Sequence, residues 1–103
     1  DAALPRVIRQ FRVGADGTLT GGEVFAHIDC GIPDGFRLDH MGNLWTSAGD
    51  GVHCFAPDGA LIGKIQIPEV VSNLTFGGPR GNQMFITAHT SLYTIMLGTR
   101  GAI

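Results

Sequence analysis

The chain has 103 residues, 44% of them hydrophobic and 16% charged, with a formal net charge of −2. That length holds one small domain. The near-neutral charge, with Lys and Arg scattered, leaves no nucleic-acid footprint, and no apolar run approaches the roughly 20 residues of a membrane span.

Glycine is the outlier at 16 residues, and with several β-branched runs it predicts short strands joined by tight turns. The chain opens at Asp1 without an initiator Met or a signal peptide, so further gene product is expected ahead of it. Arg6 to Val13 reads as a strand, and Ala15-Asp16-Gly17-Thr18 as the turn that follows it. Gly22 to Ile28, Gly35 to Asp39, Leu44 to Ala48, Val52 to Phe55 and Leu61 to Ile67 are the next strands. Met41-Gly42-Asn43, Gly49-Asp50-Gly51 and Pro57-Asp58-Gly59 are the turns among them. Leu74 to Gly77, Met84 to Ala88 and Leu92 to Leu97 complete the set. No stretch sustains a helical apolar period, and Pro68 to Ser72 is the one candidate helical turn.

A repeat organises these strands. Gly42-Asn43 recurs as Gly81-Asn82, a spacing of 39, and after one inserted residue Trp45 matches Phe85, Ser47 matches Thr87, Val52 matches Leu92 and Phe55 matches Ile95. Asp34 matches Asn73 at the first spacing. A unit of about 40 residues with four strands is the size of a β-propeller blade. The expected fold is therefore all-β, a propeller fragment of about two and a half four-stranded blades. Propellers close with roughly four to eight blades. The chain is thus expected to need further blades or another chain, with a free-standing small β-sandwich as the structural alternative.

Asp34 stands between Pro33 and Gly35 at a strand mouth. A charge there is poorly placed for core packing and well placed to hold a metal or a reacting water; the alternative is that its carboxylate binds turn amides. Asn73, its repeat partner, is expected at the same end of the fold, contacting substrate hydroxyls or a metal-bound water, or else capping the turn before Leu74. Asp39 is expected to accept hydrogen bonds within the Gly42 turn, and Asp50 and Asp58 to serve their turns. His27, His40, His53 and His89 share no metal-ligand spacing; His27 and His53 read as satisfied packing residues and His89 as a turn residue. Cys30 and Cys54 read as unpaired thiols, a disulfide being the alternative that would imply an oxidising compartment. Trp45, Phe55, Phe76, Phe85 and Tyr93 read as blade core. No Gly-x-Ser-x-Gly nucleophile motif and no phosphate loop is present.

The order and spacing of several motifs resemble the gluconolactonase and senescence-marker-protein (regucalcin) family of six-bladed propellers. The matching pieces are Ile32-Pro33-Asp34-Gly35 with Asp39, Gly42-Asn43-Leu44-Trp45, Gly49-Asp50-Gly51-Val52, Gly63-Lys64-Ile65, Asn73-Leu74-Thr75-Phe76 and Phe85-Ile86-Thr87-Ala88. The resemblance implies that residues 1–103 are the C-terminal portion of such a propeller, an incomplete domain. It implies metal-dependent hydrolysis of a sugar lactone, glucono-1,5-lactone or a similar aldonolactone, with the isolated fragment inactive. One divalent cation is implied, calcium first, with magnesium, manganese or zinc as alternatives. The family holds it with a glutamate, an asparagine and the aspartate of Pro-Asp-Gly, and only the last is here, as Asp34. Asp34 would then be both metal ligand and proton acceptor, and Asn73 a substrate contact. A non-catalytic ion-binding propeller and a protein-interaction propeller are the alternatives, and the compartment, cytoplasm or periplasm, stays open.

Overall fold

Period-two alternation of apolar residues, broken by glycine-bearing turns, gives nine strands and no helix over residues 6–103, which the computed structural model describes. They are β1 (Val7–Val13), β2 (Leu19–His27), β3 (Phe36–Leu38), β4 (Leu44–Ala48), β5 (Gly51–Phe55), β6 (Leu61–Gln66), β7 (Val71–Gly77), β8 (Gln83–Ala88) and β9 (Leu92–Met96). All pairing is antiparallel. The strands form a two-stranded ribbon β1-β2, a four-stranded sheet β3-β4-β5-β6 and a three-stranded sheet β7-β8-β9, each in chain order. The expected two and a half units appear as half a blade, a whole blade and three strands of a third.

The whole blade is apolar on both faces. Alternation along β4 and β5 sends Leu44, Ala48 and Phe55 toward the ribbon, where they pack with Ile8, Ala26 and Ile28. It sends Trp45 and Val52 the other way, into a cluster with Val71, Leu74, Met84 and Ile86. The Trp45 and Phe76 rings meet edge to face at 6.2 Å, one side-chain bridge between the two sheets. Trp45, Phe55, Phe76 and Tyr93 therefore occupy the core positions expected of them, whereas Phe85, also expected in the core, lies in neither cluster. Gly42 (φ +85°) and Gly81 (φ +69°) take the left-handed conformation at repeat-equivalent turns, which explains why both copies use glycine there.

Two expectations are corrected. Pro68 to Ser72 forms no helical turn: Val71 and Ser72 already belong to β7, and Val71 is buried in the core. Burial of one β-branched side chain outweighs the weak local preference. β2 also begins earlier than Gly22, at Leu19, because Gly21 and Gly22 lie within the strand at positive φ beside a register shift against β1. The end of the chain returns to the inner edge of β3, where Asp39 bridges Gly101 and Ala102 donates its N–H to the Leu38 carbonyl at 3.1 Å. No helix among the described residues is long and apolar enough to cross a membrane.

Candidate functional site

The Pro33-Asp34-Gly35 turn is held from below by one side chain. The fully buried Ser47 hydroxyl accepts the N–H of Asp34 at 2.8 Å and of Gly35 at 3.0 Å. Ser47 also donates its own N–H to the Gly35 carbonyl at 2.8 Å. The backbone of Asp34 is thus fixed by β4, while its side chain is exposed and accepts no hydrogen bond among the described residues. Its carboxylate does not close the turn; the Ser47 oxygen takes that role.

Asn73 comes close to the same turn. A Cβ on Gly35 would lie 2.2 Å from Asn73 Oδ1, so the glycine lets the two segments touch. Asn73 Oδ1 accepts the N–H of Leu74 at 2.8 Å. Asn73, Arg37, Thr75, Phe85 and Thr87 line a cavity of about 300 Å³ on the inner strands. A cleft of about 420 Å³ lies beside it between β3 and β7, reaching the terminal segment 101–103.

Asp39 behaves as expected and does more. It is 2% exposed, and its carboxylate accepts the N–H groups of Met41 (2.9 Å) and Asn43 (3.0 Å), the Asn43 amide (3.0 Å) and the Trp45 indole (3.0 Å). Burial pushes its carboxyl up, but the Trp45, Asn43 and Met41 hydrogen bonds outweigh burial and hold it below the usual carboxylate range. Asp58 serves its turn by accepting the Ala60 N–H at 2.9 Å.

His27, His53 and Asp50 depart from their sequence reading. His27 ends β2 exposed, so it is no packing residue, whereas His89 lies in the β8–β9 turn as expected. His53 is 1% exposed; its Nε2 meets Asp50 Oδ1 at 2.6 Å, and its Nδ1 is buried without a hydrogen-bond partner. Asp50 is therefore more than a turn residue. Asp29, in the β2–β3 connection, lies 3.9 Å from His53 Nδ1, and Lys64 Nζ donates to both Asp29 oxygens at 3.0 and 3.2 Å. Asp29, Asp50 and His53 offer ligand atoms within 4.8 Å of one another, the one such group among the described residues. Asp34 is not part of it. The signal that could have found this group is the second repeat spacing: positions 50 and 53 plus 40 give 90 and 93, where Thr90 and Tyr93 form a hydrogen-bonded tie with Glu69, one place past the 39-spaced match of Asp29. Cys30 and Cys54 are free thiols, and burial pushes the Cys54 thiol up to about 11, so Cys54 reads as inert packing rather than a nucleophile.

The family signature described as "SMP-30/Gluconolactonase/LRE-like region" matches residues 3–90. The chain belongs to this family. A gluconolactonase of Zymomonas mobilis is 38% identical over 73 residues, covering 69% of this chain and 20% of that protein. The pentonolactonase XacC of Haloferax volcanii is 33% identical over 60 residues, 55% of this chain and 21% of its own length. An X-ray structure of a provisionally named gluconolactonase superposes with a TM-score of 0.90 at 36% identity, over 93% of this chain and 33% of that one. The chain thus spans about a fifth of the lengths of the relatives it matches and a third of the solved structure. Its fold is that of the corresponding stretch of these lactonase-family proteins.

Proposed function

We propose that this chain is the C-terminal part of a six-bladed propeller that hydrolyses a sugar lactone, and that Asp34 is a ligand of its divalent cation. Family membership carries the reaction class: the relatives are a gluconolactonase and a pentonolactonase. What supports Asp34 is that its backbone is clamped by Ser47 while its carboxylate oxygens remain uncommitted. A carboxylate rigid at the backbone and free at the oxygens suits a metal ligand.

The donor count sets the limits of the chain. Calcium takes about six to eight oxygens. Asp34 supplies at most two, and the Asn73 carbonyl oxygen is already bonded to Leu74 N–H. The remaining ligands come from outside these residues. A bound divalent ion polarises an ester carbonyl and acidifies water. Within the chain, Asp34 would hold the ion through one oxygen and accept a proton from the attacking water with the other. The Asn73 amide, on the inner-strand cavity, would bind a lactone hydroxyl through its N–H₂.

The test uses the complete polypeptide that carries this chain, with glucono-1,5-lactone as substrate. Chelation is expected to abolish hydrolysis and a divalent cation to restore it. Asp34→Asn is expected to cost on the order of 10²–10⁴-fold in kcat. Full activity after complete metal removal would refute the metal mechanism. Cation binding without turnover would favour an ion-binding propeller instead.

A further inference from the structure

We propose that Asp29 and His53, with Asp50 behind the imidazole, form a second cation site of the zinc class, separate from Asp34 and on the outer part of the same blade. The argument begins with the repeat. Adding 40 to positions 50 and 53 gives 90 and 93, and Glu69 stands one place after Pro68, the 39-spaced match of Asp29. In the third sheet these positions close on themselves. Glu69 Oε1 accepts the Thr90 N–H at 2.8 Å and the Thr90 hydroxyl, and Glu69 Oε2 accepts the Tyr93 hydroxyl at 2.5 Å. One carboxylate meets three donors, and the tie is complete.

In the preceding blade the two matching places, and the carboxylate one place out of step with Glu69, hold ligand-type side chains. The carboxylate is Asp29, but the hydroxyl positions carry Asp50 and His53. The Thr90 and Tyr93 donors have no counterpart, and two carboxylates face one imidazole and one ammonium, that of Lys64. The ring N–H at Nε2 donates to Asp50 Oδ1, 2.6 Å away. In that tautomer Nδ1 carries a lone pair, the arrangement that a carboxylate behind the ring imposes on metal-bound histidines. This Nδ1 is buried, has no hydrogen-bond partner, and lies 3.9 Å from Asp29 Oδ1. That distance is too long for a hydrogen bond. Ligands of a tetrahedral ion with bonds of about 2.0–2.2 Å lie about 3.3–3.6 Å apart, so the exposed Asp29 side chain would close on Nδ1 by a few tenths of an ångström to share an ion with it.

The nitrogen ligand selects the ion. Imidazole with carboxylate suits zinc, cobalt or nickel, whereas calcium takes oxygen alone. Asp29 is 60% exposed, so water can complete the coordination shell. Lys64 is the competitor: its Nζ is 3.0 Å from Asp29 Oδ2 and 3.9 Å from Asp50 Oδ2. The ion displaces this ammonium toward solvent.

Zinc, and cobalt(II) as its coloured substitute, are titrated into the full chain and followed by calorimetry, cobalt absorption and nitrogen NMR of the His53 ring. One ion is expected to bind, with the Nδ1 resonance moving. Asp29→Asn, at an exposed position that leaves the fold alone, is expected to weaken binding at least 10-fold, and His53→Gln to abolish it. Asp50→Asn is expected to cost about 10- to 100-fold, as loss of the carboxylate that orients a ligating histidine does. Lys64→Met is expected to tighten binding several-fold. Asp34→Asn is expected to leave this binding unchanged, which separates the site from the lactonase reading. Failure of zinc to bind, or binding that Asp29→Asn leaves intact, overturns the proposal.

Discussion

Among the described residues, the Ser47 oxygen is the sole side-chain partner of two consecutive amides, Asp34 N–H and Gly35 N–H. Replacing it with alanine strands both donors in a part-buried turn, and each unsatisfied donor costs about 1–3 kcal/mol. Ser47→Ala is therefore expected to lower unfolding stability by about 2 kcal/mol or more in denaturant titrations. It should also release the turn, so that in the complete polypeptide kcat falls while chemical competence of Asp34 is intact. A Ser47→Ala protein as stable as the parent would contradict the clamp. Asp34 was singled out by its motif, since a charge between Pro and Gly at a strand mouth has no packing role, and its part in binding a cation is the proposal made above. Ser47 was not, because a serine inside a strand carries no signal of what it faces. The same holds for His53, whose role depends on Asp50 three residues before it and Asp29 in another segment.

At the scale of elements, all nine strands were readable from alternation and glycine turns, because turn chemistry is local. The errors fell where tertiary burial or a glycine bulge overrode local preference, at Val71 and at Gly21-Gly22. Ties between elements were least readable. Glu69, ahead of β7, holds the β8–β9 turn, and hydrogen bonds from the Thr90 hydroxyl, the Tyr93 hydroxyl and the Thr90 N–H pull its carboxyl down to about 2. A folded value below the ordinary one of 4.5 means the tie contributes fully above that pH and is lost as pH falls through about 2. The stability advantage of the native chain over Glu69→Gln is thus expected to be constant above pH 4.5 and to shrink toward pH 2. Acid titrations of thermal unfolding measure it, and an advantage still undiminished at pH 2 would rule the tie out.

For the molecule as a whole, the decisive feature is the unequal count of strands per sheet. β9 is the last strand of its sheet, with no strand beyond it among the described residues, and its Leu92 and Met96 are 68% and 61% exposed. An open edge with apolar side chains templates pairing. The chain in isolation is expected to self-associate with rising concentration in sedimentation, and Met96→Lys to shift it toward monomer. Identical sedimentation of the two would show that the edge is inert. The repeat made this incompleteness legible before any coordinates, since a period of about 40 fixes four strands per unit. It did not reveal the return of segment 101–103 to β3, which depends on backbone pairing rather than side-chain pattern.

The two apolar clusters sit on opposite faces of the β3–β6 sheet and share no residue. Cohesion is therefore divided. Under tension applied at the chain ends, the β1–β2 ribbon can tear away with Ile8, Ala26 and Ile28 while Met84 and Ile86 stay seated against Val52. Rupture would come in two separate steps, with the middle sheet surviving the first.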